Sequence, residues 1–268
     1  MGYGHDWGDF RWETGFTFSH NKNEILELVD NYEHPETGEL ISKDRLEIKG
    51  LGKAKFILKK GGTLGDLYTQ SGLKRDNNGI IEVDPSGALV TVDNLPDIKL
   101  GSVFPKANLA WRNDFSFKGI NLGALITARL GGIVFSATQA AMDQYGVSET
   151  SALARDEGFV FVENSIYVNP QVWYTAIGSQ SGLPQYYTYS ATNVRLQEAH
   201  IGYTLPRGWF NNLMSVNLSL VGRNLLMIYN RAPFDPENVA TTGNYYQGID
   251  YFMIPGTRNI GVNVKVTF

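Results

Sequence analysis

The sequence predicts an all-β protein, part of an antiparallel transmembrane β-barrel with long extracellular loops. Two observations lead to this prediction. The last strand, Ile260 to Phe268, alternates between apolar and polar residues, as expected where one face of a strand meets lipid and the other meets water. Similar segments recur along the chain, and short turns and long loops join them in turn. That order of connections is typical of outer-membrane barrels.

Composition and charge exclude several classes of protein. The chain has 268 residues, a formal net charge of −4 and no cysteine, so it offers no basic surface for nucleic acid. Mean hydropathy is −0.20, and no apolar run approaches the ~20 residues of a transmembrane helix. Aromatic residues make up 12% of the chain and glycine is abundant, which suits an aromatic-girdled β protein.

About seven segments have the alternation of a barrel strand. They are residues 10–19, 24–29, 106–118, 120–130, 193–205, 215–223 and 260–268. The turns predicted to join them as hairpins are 20–23, 118–119 and 206–212. The long connections are 30–103, 131–192 and 224–257.

Two local features interrupt this pattern. Arg195 and Gln197 take the apolar parity of their strand, so a bulge or the membrane boundary is expected near residue 198. The second long connection contains Phe135 to Tyr145, an alanine-rich stretch without Gly or Pro that predicts a short helix. Short strands are expected within the first long connection.

The connections also predict an orientation in the bacterial outer membrane. Such barrels have short turns in the periplasm and long loops outside the cell, so the C-terminus is predicted to be periplasmic. Aromatic residues assigned to the short-turn ends agree, because these rings collect at the membrane interface. These residues are Phe16, Phe18, Phe115, Phe117, Tyr203, Trp209 and Phe268.

Seven strands, the first running inward from the cell surface, do not close a barrel, and an open sheet leaves unpaired edges in lipid. The N-terminal residues also lack the pattern of an export signal. We therefore expect residues 1–268 to be the C-terminal portion of a larger barrel, without its plug domain and N-terminal strands. A fragment and a separately encoded half of a split gene both fit this expectation.

Several motifs, in order along the chain, resemble SusC/RagA-type TonB-linked outer-membrane transporters. The motifs are Phe16-Thr-Phe-Ser-His-Asn-Lys-Asn-Glu24, Gly101-Ser-Val-Phe-Pro-Lys106, Phe117-Lys-Gly-Ile-Asn-Leu122, Asn193-Val-Arg-Leu-Gln-Glu-Ala-His-Ile-Gly-Tyr-Thr-Leu-Pro206, Val221-Gly-Arg-Asn-Leu-Leu226, Phe234-Asp-Pro-Glu237, Gly248-Ile-Asp-Tyr251, and Pro255 through Arg258 to Phe268. The resemblance implies a barrel of about 22 strands with a plugged lumen. It also implies a SusD-like surface lipoprotein as a lid, TonB acting through the missing N-terminal part, and import of glycans or peptides. The terminal Phe268 resembles the signal read by the barrel-assembly machinery.

Eight aromatic residues in the long connections are candidates for contact with substrate or lid, since each ring offers a flat apolar face and a polar group. They are Trp173, Tyr174, Tyr186, Tyr187, Tyr189, Tyr245, Tyr246 and Tyr251. The alternative is that these rings pack on one another within the loops.

Five charged residues take the polar parity of their strands and are expected to face the lumen. They are Arg112, Asp114, Arg129, Arg223 and Lys265. Lumen residues tune passage in some barrels, but pairing across strands or with the plug is the more frequent role.

Other motifs predict no enzyme, no metal site and no cofactor. Asp76-Asn-Asn-Gly79 lacks the spacing of a calcium loop and is better explained as a turn. The four histidines have no metal-ligand spacing. Gly61–Gly65 is not followed by the Lys-Ser/Thr of a P-loop, and no Gly-x-Ser-x-Gly motif occurs.

The leading functional hypothesis is a component of a TonB-dependent importer that takes up glycans with a SusD-like lipoprotein. An oligopeptide importer of the same family would carry the same motifs. A binding or adhesion barrel without active transport is the alternative from another class of protein. Uptake assays separate it from an importer.

Overall fold

The computed structural model describes residues 1–162, 166–179, 181–211, 213–241 and 246–268. The strands are β1 (Gly2–Trp7), β2 (Phe10–Ser19), β3 (Val29–Glu33), β4 (Leu40–Lys43), β5 (Arg45–Lys49), β6 (Lys55–Lys59), β7 (Asp66–Thr69), β8 (Gly72–Leu73), β9 (Thr91–Val92), β10 (Ile98–Ser102), β11 (Ala107–Phe117), β12 (Ile120–Leu130), β13 (Ile133–Ser136), β14 (Val160–Val162), β15 (Ile166–Val168), β16 (Thr188–Ser190), β17 (Asn193–Thr204), β18 (Ser215–Asn230), β19 (Ile249–Asp250) and β20 (Asn259–Thr267). The helices are α1 (Ala137–Gln144), α2 (Glu149–Glu157) and α3 (Pro170–Ile177), with 3-10 turns at Pro184–Tyr187 and Arg207–Phe210. Within the described ranges, none of the helices is long and apolar enough to cross a membrane.

The largest element is a seven-stranded sheet, here called the wall sheet. Its strand order is β1-β2-β11-β12-β17-β18-β20, and every neighbouring pair is antiparallel. Its strands are thus neighbours in the same order as they follow along the chain, the up-and-down arrangement of an outer-membrane barrel. The predicted antiparallel all-β class is confirmed.

One end of the wall sheet carries short turns and the other carries long connections. The short turns are 8–9, 118–119 and 205–214, and the long connections are 20–106, 131–192 and 231–258. Lys118 and Gly119 have φ of 46° and 87°, as a two-residue hairpin turn with both residues at positive φ requires. Ser215 pairs with Thr267, so the C-terminus lies at the short-turn end.

One face of the wall sheet is apolar and uncovered. A row of side chains crosses it from Phe115 through Leu122, Ile201 and Leu220 to Val262. The last four of these are 48%, 53%, 49% and 76% exposed. A contiguous apolar face of this extent is one that lipid covers in a barrel.

Two polar side chains on the apolar face are paired with indole groups. Trp12 Nε1 donates to Asn113 Oδ1 at 3.2 Å, and Trp111 Nε1 donates to Thr14 Oγ1 at 3.1 Å. Both hydrogen bonds cross from β2 to β11. They satisfy polar atoms that lipid does not solvate.

One of the predicted wall strands is wrong. Residues 24–29 do not pair with β2; the backbone of Ile25 bonds instead to Gly61 and Gly62. The physical reason is that β1 and β11 already occupy both edges of β2. The strand missing from the prediction is β1, whose glycines obscure the alternation of its larger side chains.

β2 follows β1 through the short turn 8–9, so β2 begins at the short-turn end of the sheet. The sequence prediction instead had this strand end at a short turn, so its predicted direction is the reverse of the observed one. Phe10 pairs with Phe117 at the short-turn end. The placement of Phe16 and Phe18 at that end is therefore wrong, and Phe18 lies near the long connections. Trp7 packs on Phe10 with ring centroids 5.9 Å apart, so an aromatic cluster does mark the short-turn end.

The predicted bulge in β17 is confirmed. Glu198 pairs with Leu125 and Leu196 pairs with Ile126, so Gln197 has no partner on β12. Because of this extra residue, the side chain of Leu196 lies on the apolar face. A bulge changes the direction of neighbouring side chains in this way.

The long connections fold into a packed body, here called the connection core. It contains a four-stranded sheet, β10-β7-β6-β5, and a three-stranded sheet, β16-β13-β19, with α1, α2 and α3 beside them. The short strands and the helix predicted for these connections are confirmed. The most buried apolar side chains, each at most 2% exposed, include Phe56, Leu67, Phe135, Leu183 and Ile249.

The sequence prediction omits α2 and α3, although both have clear end signals. Ser148 caps α2 by accepting from Ser151 N, and Gly158 ends it at φ 82°. Asn169 caps α3 and Pro170 opens it. These cap residues are the usual signals of helix ends.

Candidate functional site

The polar face of the wall sheet is the candidate functional site. It lines an open concavity of about 830 Å³. Side chains reach it from several wall strands, because alternate residues of each strand point to the same face. Four of the five charged residues selected from the sequence line it, namely Arg112, Asp114, Arg223 and Lys265.

Charged groups on this face form ion pairs within and between strands. Arg112 Nε lies 2.6 Å from Asp114 Oδ2, and Asp114 Oδ1 lies 3.8 Å from His200 Nε2. Arg223 Nε donates to Glu198 Oε2 at 3.0 Å. Partly exposed pairs of this kind add little stability.

His200 approaches Asp114 across Gly123, their common neighbour in the sheet. A Cβ at position 123 would lie 2.1 Å from His200 Cε1 and 2.6 Å from Asp114 Oδ1. A side chain at position 123 would therefore displace His200 or Asp114 from this contact. Sequence reasoning missed His200 because only the strand register brings it to Asp114.

Lys265 and Arg129 differ from the paired charges. Lys265 lies on the edge strand β20 opposite Asn217, and it has no acidic partner among the described residues. Arg129 donates from Nη2 to Val103 O at 2.8 Å. Val103 belongs to the buried core and Arg129 to β12, so this hydrogen bond joins the connection core to the wall sheet.

A buried ion-pair cluster joins the third long connection to β17. Arg195, 5% exposed, donates to Asp235 from both terminal nitrogens at 3.1 and 2.7 Å. Glu237 lies 3.3 Å from Arg195 Nη2 and accepts from Asn193 Nδ2 at 3.1 Å. The Phe234–Glu237 motif therefore supplies the acids that neutralise Arg195, a role that sequence reasoning did not assign.

Three of the eight candidate aromatics are inside the connection core. Trp173, Tyr174 and Tyr187 are 7%, 8% and 2% exposed, because α3 and the 3-10 turn after it direct these rings inward. All three rings belong to the buried cluster of the connection core. Burial raises the pKa of Tyr187 far above its ordinary value and that of Tyr189 to about 12, and the charge of Asp143 acts in the same direction.

The other aromatics are more accessible. Tyr186 and Tyr189 are half-buried, and Tyr189 packs edge-on against Phe234 at 5.6 Å between centroids. Tyr246 and Tyr251 are 43% and 41% exposed. Tyr245 lies outside the described residues.

The segment from Asp76 to Gly79 is a turn, as predicted. Asp76 Oδ1 accepts from the backbone nitrogens of Asn78 and Ile80, both at 2.8 Å, and Gly79 has φ 83°. Among the residues that the structure describes, no group of three or more His, Asp or Glu side chains is arranged to hold a metal ion.

Comparison with known proteins identifies a relative by sequence. No family model matches the chain. The chain is similar to the TonB-dependent receptor P3 of Formosa agariphila, with 25% identity over 282 residues. The similarity covers 96% of this chain and 27% of that receptor. The chain thus spans about a quarter of the length of this relative.

Solved structures with the same fold include the RagAB peptide transporter, with a TM-score of 0.61 and 16% identity over 98% of this chain and 27% of that one. The RagAB peptide importer in its closed-closed state gives a TM-score of 0.58 and 15% identity over 98% and 28%. The resemblance drawn from the motifs is confirmed: the chain is similar in sequence to a TonB-dependent receptor and in fold to part of the RagAB peptide transporter.

Proposed function

We propose that this chain forms part of the wall and the outer loops of a TonB-dependent nutrient importer in a bacterial outer membrane. One observation carries the proposal: an antiparallel wall sheet with an uncovered apolar face, a polar concave face, and long connections at one end only. The similarity to a TonB-dependent receptor supports it. The short turns and the C-terminus then lie in the periplasm and the connection core lies outside the cell.

The wall sheet needs partners at both edges. β1 and β20 each have one unpaired edge in the sheet, and unpaired backbone groups are not tolerated in lipid. We assign these positions to the remainder of the barrel, in the same or a separate chain, with a plug filling the polar concavity. TonB acts through that remainder, and the barrel-assembly machinery recognises the strand ending in Phe268, which is 93% exposed.

A SusD-like surface lipoprotein is the proposed partner of the connection core. Tyr246 and Tyr251 have the greatest exposure of the candidate aromatics that the structure describes, so they are assigned to the lid or to substrate. Glycans are the first candidate substrate because exposed tyrosine rings stack on sugars. Oligopeptides are the second, because the solved structures of the same fold are described as a peptide transporter and a peptide importer.

The test is uptake by cells that produce the full-length protein containing this chain. Labelled oligosaccharide and labelled oligopeptide mixtures are offered to cells with TonB and to cells without it. An importer gives uptake of one mixture that depends on TonB. Surface binding without TonB-dependent uptake of either mixture would overturn the importer and favour a binding or adhesion barrel.

A further inference from the structure

A second cavity, separate from the polar concavity of the wall sheet, lies among the three helices of the connection core. Its volume is about 320 Å³, which is within the ~300–1,000 Å³ of small-ligand sites. The end of α1, the middle of α2 and the start of α3 form its walls. The lining side chains that matter here are Asp143, Ser151, Arg155, Gln171 and Tyr174.

Asp143 contributes a carboxylate to this cavity that has no ion-pair partner among the described residues. The residue is 5% exposed, and its Oδ1 accepts a hydrogen bond from Gln139 Nε2 at 2.8 Å. Among the described residues, no basic nitrogen lies within 4.0 Å of the carboxylate. Asp143 also stands in the last turn of α1, where the helix dipole disfavours an anion. A buried carboxylate in this position favours an incoming cation.

Arg155 offers hydrogen-bond donors to the same cavity. Its Nη1 donates to Gly146 O at 2.7 Å, and its other guanidinium nitrogens have no acceptor among the described residues. Tyr174 supplies an aromatic wall, with its hydroxyl 3.5 Å from Thr150 O. A carboxylate, a guanidinium and a tyrosine ring together complement a small cation that has an oxygen acceptor beside it.

We propose that this cavity binds a ligand through a primary ammonium group, which pairs with the Asp143 carboxylate while Arg155 donates to a neighbouring oxygen of the ligand. Two kinds of ligand have this chemistry: the free amino end of a peptide, and an amino sugar without its acetyl group. The inference rests on the proposed import function and names the chemical group that is recognised.

The test measures binding by calorimetry to the purified full-length protein containing this chain, in detergent. Four probes are used: trialanine, N-acetyl-trialanine, a glucosamine trimer and its fully N-acetylated counterpart. We expect one free-amine probe to bind and its acetylated form to bind at least ~10-fold more weakly, because acetylation removes the charge that pairs with the buried carboxylate. The probe pair that shows this difference identifies the ligand source.

Two variants sharpen the result. Asp143→Asn removes the charge with little change of shape, so the free and acetylated probes should bind it equally weakly. Glu157→Gln makes the same charge change at an exposed position of α2 and should keep the wild-type difference. If Asp143→Asn fails to fold, the comparison of free and acetylated probes on the wild-type protein still decides.

Equal binding of free and acetylated probes by the wild-type protein, or binding of none of the four, would overturn this inference. Binding in detergent does not require TonB. Absence of probe binding together with intact TonB-dependent uptake would therefore reject the ammonium site alone. Binding without uptake would reject the import function and keep the site.

Discussion

The wall sheet and the connection core use the same apolar residues in opposite ways. Leu122 in the wall sheet is 48% exposed, whereas Leu67 in the connection core is 0% exposed. The connection core is held by burial of apolar side chains away from water. The wall sheet instead is held by strand pairing, with lipid covering its apolar face. Substitutions of the same type should therefore have different effects in the two regions.

The largest expected effect is at the junction of the two regions. Arg195→Ala leaves Asp235 and Glu237 without their buried cation. Breaking a buried pair costs about 3–5 kcal/mol, and the lower end of that range is expected here because the side chains of Asp235 and Glu237 keep 24% and 40% exposure. The third long connection should then detach from β17. Thermal unfolding of the full-length protein and hydrogen exchange over residues 231–241 measure the two consequences. Unchanged exchange in this segment would show that other contacts hold it.

Leucine truncation tests the contrast between the regions directly. Leu67→Ala should lower the free energy of unfolding by about 2–5 kcal/mol, because it opens a cavity in a packed core. Leu122→Ala should cost less, because lipid or detergent chains fill the space left on the apolar face. Thermal unfolding of both variants in the same detergent is the measurement. Equal losses would mean that Leu122 is packed against protein, contrary to the proposed membrane face.

Substitutions at two adjacent residues of β20 test which face of the wall sheet meets lipid. Val262→Arg places a charge on the apolar face and should cost about 2–4 kcal/mol if this residue lies near the bilayer midplane. Asn263→Arg makes a comparable change on the polar face and should have little effect. The folded fraction in lipid vesicles, followed by heat-dependent gel mobility, measures both. The opposite ranking would reverse the assignment of the faces.

The smallest expected effect is at an exposed ion pair. Arg223 and Glu198 have side chains that are 67% and 30% exposed, so Arg223→Ala should change the free energy of unfolding by only ~0–1 kcal/mol. The measurement is thermal unfolding of Arg223→Ala and Arg195→Ala under the same conditions. A loss as large as that of Arg195→Ala would mean that the polar face is shielded from water more than its exposure indicates.

The wall sheet was largely predictable from the sequence because each of its strands has one face toward lipid and the other toward water. Its residues therefore alternate between apolar and polar. Alternation within a strand such as β12 therefore appears without knowledge of its neighbours. The error at residues 24–29 arose because four of these six residues are apolar, as in a wall strand, while two of the six residues of β1 are glycine. Strand pairing, rather than the pattern of a single segment, decided between them.

The connection core and the contacts within the site were less predictable. Burial of Trp173 depends on α3, and the proximity of His200 to Asp114 depends on the register of three strands. The pairing of Arg195 with Asp235 joins residues 40 apart in the sequence. Such contacts are set by tertiary structure, which composition and periodicity do not contain.

The two indole hydrogen bonds between β2 and β11 have a consequence for assembly in the membrane. A slip of β2 past β11 would separate Trp12 from Asn113 and Trp111 from Thr14 at once. Four polar groups would then face hydrocarbon without partners, each at a cost of several kcal/mol. A misaligned pairing of β2 with β11 should therefore be less stable than the native register.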